Sequence, residues 1–89
     1  MVKKKILIFI ITYKASFRVL EVFKKIPFNK INNFYVKTLL SDDCSKDDTM
    51  KFMKKIKKNY KNIILNENKK NIGYGAHIKK CLNYAINKN

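Results

Sequence analysis

Apolar positions along this chain alternate between two spacings. Ile6-Leu-Ile-Phe-Ile-Ile11 is an unbroken apolar run. It is short enough for a strand and apolar on both sides, as strands inside parallel sheets are. From Ser16 to about Lys25 the spacing becomes helical, with Phe17, Leu20 and Phe23 on one side and Pro27 as the stop. Phe34–Ser41 reads as a second strand. A helix to about Lys58 follows, its inward face made of Met50, Met53 and Ile56. Asp47 or Asp48 stands where a cap would complement the helix dipole. Asn62–Asn66 is a short third strand, and the polar stretch Glu67-Asn-Lys-Lys-Asn-Ile-Gly73 leads to a last helix. There Ile78, Cys81, Leu82, Ala85 and Ile86 recur at i, i+3, i+4, i+7 and i+8.

The order β-α-β-α-β-α makes this an α/β chain. It predicts a Rossmann-like parallel sheet with right-handed crossovers. With 89 residues there is room for one small domain. Three strands and three helices are half of an ordinary doubly wound domain, and a fourth strand would be expected where the chain stops. A three-stranded parallel sheet leaves an open edge and limited burial, so marginal stability in isolation is expected. A cooperative thermal melt well above about 60 °C would contradict that expectation.

Composition removes several classes. A 46% hydrophobic content excludes a disordered polymer. Cys44 and Cys81 give no metal-ligand spacing and no disulfide framework, and are read as reduced thiols. Lys3-Lys4-Lys5 before the apolar run imitates a signal peptide, but the run falls short of the roughly 7–15 residues an h-region needs. No stretch approaches the roughly 20 residues of a membrane span. The net charge of +15 has two readings: attraction to nucleic acid or an anionic membrane, or a lysine-rich composition throughout. Lysine is scattered over every segment and Arg18 is the single arginine. Phosphate and base readers favour arginine forks, so nucleic acid is the least favoured partner. A cytoplasmic location, at the inner face of a membrane, fits the basic surface.

Chemistry concentrates in one place. Four of the six acidic residues, Asp42, Asp43, Asp47 and Asp48, fall in the loop after the second strand. Open α/β sheets bind ligands at the C-terminal ends of their strands. Three segments converge on that edge if the sheet is parallel: Ile11-Thr-Tyr-Lys-Ala15, Ser41-Asp-Asp-Cys-Ser45 and Asn71-Ile-Gly-Tyr-Gly-Ala76. Tyr13 offers a ring on which a base can stack. A carboxylate can accept from a base N–H. A helix start flanked by Gly73 and Gly75 offers backbone donors to anions. Each residue also has a structural reading. Asp42 and Asp43 can cap the loop, Asp47 and Asp48 can start the helix, and Tyr13 can pack in the core. The glycines can simply supply positive φ. His77 stands alone near a helix start and is read as structural or exposed, and Cys44, among acids, is assigned no chemistry.

Ile8-Phe-Ile-Ile-Thr-Tyr-Lys14, Leu40-Ser-Asp-Asp-Cys-Ser-Lys-Asp-Asp-Thr49 and Asn71-Ile-Gly-Tyr-Gly-Ala76, in this order, resemble the N-terminal half of family 2 glycosyltransferases with the GT-A fold. The resemblance implies a site for the nucleotide of a UDP-, GDP- or TDP-linked sugar donor, used in glycan or glycolipid synthesis. It implies that Tyr13 flanks the base beside the backbone of Ile11 and Thr12. Asp43 would accept from the base, Asp42 would support the loop, and the Asn71–Gly75 turn would close the far side of the nucleoside. Ile11, Lys14 and Asp48 stand where the family often has Pro, Asn and Gly. The family's later Asp-x-Asp, which holds Mg or Mn on the diphosphate, is absent, and no carboxylate follows Glu67 to act as base. No catalytic residue and no metal ligand is therefore assigned within the chain. The expectation is a donor-binding part whose catalytic half lies elsewhere, a neighbouring chain being one source. The competing expectation is a small basic binding protein without catalytic activity.

Other motifs fail. Gly73-Tyr-Gly-Ala-His-Ile78 lacks the third Gly of a dinucleotide fingerprint and follows the third strand. An EF-hand begun at Asp43 puts Lys54 where the bidentate Glu belongs.

Overall fold

A computed structural model describes residues 3–87. The order is β1 (Lys5–Thr12), α1 (Arg18–Lys24), a 3-10 turn (Phe28–Lys30), β2 (Tyr35–Asp42), α2 (Thr49–Asn59), β3 (Ile63–Glu67) and α3 (Tyr74–Asn87). The three strands form one parallel sheet in the order β1-β2-β3. Thr12 stands opposite Asp42, and Asp42 opposite Glu67, so all three strands end level. The expected α/β sheet with alternating helices is present.

The core lies on one side of the sheet. Val19 and Phe23 of α1, Met53 and Ile56 of α2, Leu40 of β2 and Ile63 of β3 form its buried cluster. α1 and α2 therefore share a face and touch each other. Side chains alternate across β2, so Ser41 points the other way and meets His77 of α3. α3 thus covers the opposite face.

Three expectations change, and one alternative is decided. Phe17 is 53% exposed, and Val19 and Phe23 make the inward face of α1. The helix starts late because Ser16 has φ 52° and its N–H donates to Thr49 Oγ1 at 2.9 Å. The apolar run of β1 predicts burial on both faces, but among the described residues the strand pairs with β2 alone and the run is only half-buried. Of the expected α3 stripe only Cys81 is buried; Leu82 is 47% and Ile86 71% exposed. α3 meets the sheet without a neighbouring helix beside it among the described residues, so its stripe is covered on one flank. Between the two candidate caps of α2, Asp47 does the capping. Its Oδ1 accepts from the N–H and the Oγ1 of Thr49 at 2.9 and 2.6 Å, while Asp48 makes no side-chain cap bond. Those bonds to Thr49 hold the Asp47 carboxyl below its ordinary pKa.

Cys44 and Cys81 are free thiols. Among the described residues, no helix is long and apolar enough to cross a membrane.

Candidate functional site

The level strand ends bring the three loop segments together. The first joint is Asp42, which has no exposed surface. Its Oδ1 accepts from Thr12 Oγ1 at 2.7 Å and from Ser45 Oγ at 2.6 Å, and its Oδ2 from the Ser45 N–H at 2.8 Å. Asp42 thus ties the end of β1 to the loop after β2. Two further bonds reinforce the joint: Asp43 N–H donates to Thr12 O at 2.9 Å, and Lys14 N–H to Ser45 Oγ at 2.6 Å.

The second joint is Asp43, which is 4% exposed. Its Oδ1 accepts from Asn68 Nδ2 at 3.0 Å and the Ile72 N–H at 2.9 Å, and its Oδ2 from the Gly73 N–H at 2.9 Å. Asn71 Nδ2 donates back to Asp43 O at 3.3 Å. Burial pushes the Asp43 carboxyl up most strongly, yet the three donors and His77 together outweigh it and hold the pKa below the ordinary value. A carboxylate offers about four lone-pair sites. Three are taken, and the remaining one is on Oδ2.

Tyr13 stands apart from these joints. It is 50% exposed, and the Lys14 ammonium lies 5.3 Å from its ring centre. This overturns core packing as its role and leaves a ring face at the edge. Ile11 is half-buried and Thr12 buried. Gly73 has φ 82°, so it serves the turn; Gly75 lies in the first turn of α3 without positive φ. A Cβ at either would meet nothing within 4 Å, so neither glycine marks a close approach. Tyr74 is 72% exposed and faces solvent.

Behind Asp43 a polar network runs into the sheet. Lys80 Nζ and Asn66 Nδ2 donate to Asn68 Oδ1 at 2.6 and 3.0 Å. Asn66 Nδ2 also reaches Ser41 Oγ at 2.9 Å, and His77 Nε2 lies 2.6 Å from the same oxygen. His77 is fully buried and its Nδ1 has no partner. Burial lowers its pKa below the ordinary imidazole value, against the raising pull of Asp43 and Asp42. His77 is therefore a structural residue of the network. Sequence reasoning missed Ser45 and Asn68. Ser45 carried a signal, since a serine three residues after an aspartate commonly closes an Asx-type turn. Asn68 carried none in its run of Asn and Lys.

The edge is an open surface. A concavity of about 330 Å³ beside it is lined by Asn66, Asn68, Lys69, Lys70 and Lys80 among others, but by none of Tyr13, Asp42 and Asp43. A larger one of about 390 Å³ lies at the opposite end of the sheet, against Lys5, Tyr35, Ile64 and Tyr84. No group of three or more His, Cys, Asp and Glu among the described residues is placed to hold a metal ion. Asp42 and Asp43, the buried acids of the edge, are already engaged with protein donors.

Fold and site together define an open parallel α/β unit whose strand ends are joined by two buried aspartates. Comparison with protein-family models, curated proteins and solved structures finds no match.

Proposed function

We propose that this chain is the donor-nucleotide-binding part of a family 2-like glycosyltransferase of the GT-A fold. It would hold the nucleoside of a UDP-, GDP- or TDP-sugar at the C-terminal edge of the sheet. One observation carries the reading: Asp43 is bonded both to Thr12 of the first segment and to Ile72 and Gly73 of the third. The three motifs behind the resemblance thus form one connected surface. On it Tyr13 stacks on the base, with the backbone of Ile11 and Thr12 alongside. Asp42 sets the loop, and Asn71 and Gly73, with Gly75 in the first turn of α3, bound the far side. The remaining lone pair of Asp43 Oδ2 accepts from a base N–H. Among the described residues no group of three or more His, Cys, Asp and Glu is placed to hold the Mg or Mn of complete family enzymes. The reading carries a cytoplasmic location with it, at the inner face of a membrane.

Ligand-observed NMR against UDP, GDP, TDP, NAD and a short single-stranded DNA, at about 150 mM salt, tests this. Saturation transfer to a uridine, guanosine or thymidine nucleotide is expected. Base–aromatic stacking is worth ~1–3 kcal/mol, so Tyr13→Ala should weaken that binding about tenfold or more. Tyr13 is the cleaner probe because it is half-exposed, whereas Asp43→Ala would also release the 71–73 turn. Transfer from none of the three nucleotides would end the reading.

A further inference from the structure

We infer that the outer surface of the α1/α2 layer is a docking face for an anionic lipid bilayer. Four lysines, Lys51, Lys54, Lys55 and Lys58, recur at i, i+3, i+4 and i+7 along α2, and all are exposed. They lie opposite the buried Thr49, Met53 and Ile56. α2 contains no acid, so nothing within the helix neutralises them. Like charges at these spacings weaken a helix, and an opposing negative surface would relieve that repulsion. A lysine-rich composition alone would spread the charge evenly. Instead α2 carries five lysines in 11 residues and α3 only two in 14.

The same two helices and their ends also carry exposed apolar side chains. Phe17 beside α1 is 53% exposed, Val22 of α1 47%, and Tyr60 at the end of α2 48%. The ammonium groups of Lys51 and Lys55 lie 5.9 and 5.3 Å from the half-buried Phe52 ring. Lysine point charges with exposed aromatics suit a headgroup layer, where ammonium groups meet phosphates and rings sit at the interface. Nucleic acid would be better served by the bidentate forks of arginine, and Arg18 is the single arginine in the chain. The lipid face lies on one side of the sheet and the nucleotide edge at its end, so the inference does not rest on the nucleotide reading.

The test is co-sedimentation with vesicles of neutral phosphatidylcholine, and of phosphatidylcholine with about one-third phosphatidylglycerol, at about 150 mM salt. Binding is expected to the anionic vesicles only, and to fall as salt rises. Replacing Lys51, Lys54, Lys55 and Lys58 with Gln should weaken it by about tenfold or more. A charge-matched control, with Lys3, Lys37, Lys69 and Lys79 replaced by Gln, should lose much less. These positions are all exposed, and circular dichroism checks that both variants fold. The chain has no tryptophan, so Phe17→Trp gives one fluorescent reporter, whose emission should shift to the blue on the anionic vesicles. Equal losses in the two quadruple variants, or no binding to anionic vesicles, would overturn the inference. So would unshifted emission from the Phe17→Trp variant, or tighter binding to a short DNA duplex through the same four lysines.

Discussion

Asp42→Ala is expected to leave this protein without a cooperative thermal transition. Asp42 is fully buried and satisfies three donors: Thr12 Oγ1, the Ser45 N–H and Ser45 Oγ. Alanine removes their acceptor but leaves Thr12 and Ser45 buried. Each buried donor left without a partner costs about 1–3 kcal/mol. The sulfur of Met53, 3.7 Å from Thr12 Oγ1, is a weak substitute for one of them. The net stability of a domain this size is only about 5–10 kcal/mol. Two or three orphaned donors therefore approach the whole stability. Asp42→Asn keeps one acceptor oxygen but turns an amide NH₂ toward a donor, so folding should be weakened without being abolished. Circular dichroism melts and the dispersion of amide proton shifts measure both variants. A melt of Asp42→Ala within a few degrees of the parent would show that the joint at the end of β1 is dispensable.

Acid should unfold the protein through two separate windows. His77 has a pKa lowered by burial in the folded state, so the unfolded chain takes up its proton first. Stability then starts to fall as pH drops through the unfolded value near 6.5, and keeps falling toward the folded one. Asp43 and Asp47 have folded pKa values below their ordinary ones. Their contribution is complete above about pH 4 and is lost as pH falls through the folded values. The net charge of +15 grows as these acids are neutralised, which adds self-repulsion in the second window. Melting temperatures from about pH 8 to pH 3 would resolve the two steps. His77→Gln should flatten the upper one and leave the lower. A parent whose melting temperature is constant between about pH 7 and pH 5 would rule out the buried neutral histidine.

Much of this architecture could be read from residue spacing, because burial imposes a period. The strand and helix order, the inward place of Met53 and Ile56, and the pairing of Asp42 and Asp43 at a strand end were all legible. What was not legible depends on distant partners. Phe17 has the spacing of a core residue, but Ser16 is held in a left-handed conformation by Thr49, thirty-three positions away. The run Ile6–Ile11 announces burial on both faces, yet strand order, not strand composition, decides which strand has a free edge. The aspartate doublet announced a site but not its division of labour. Both carboxylates face protein donors first, whereas Tyr13 is half-exposed at the edge. Asn68 and His77 were invisible as network members, since a lone polar residue in a polar run carries no period.

The strand order β1-β2-β3 follows the order in which a ribosome makes the strands. Each new strand lies beside the one synthesised just before it, so no segment waits for a distant partner to begin pairing. Each pairing still bridges 25 to 30 residues, so it is slower than hairpin closure, but it needs no strand made later. The aspartate joints then close in sequence. Asp42 can lock β1 once Ser45 has emerged, whereas Asp43 waits for Asn68, Ile72 and Gly73. The core has most of its parts before the edge has all of its own, and the candidate site is the last part of the sheet to be finished.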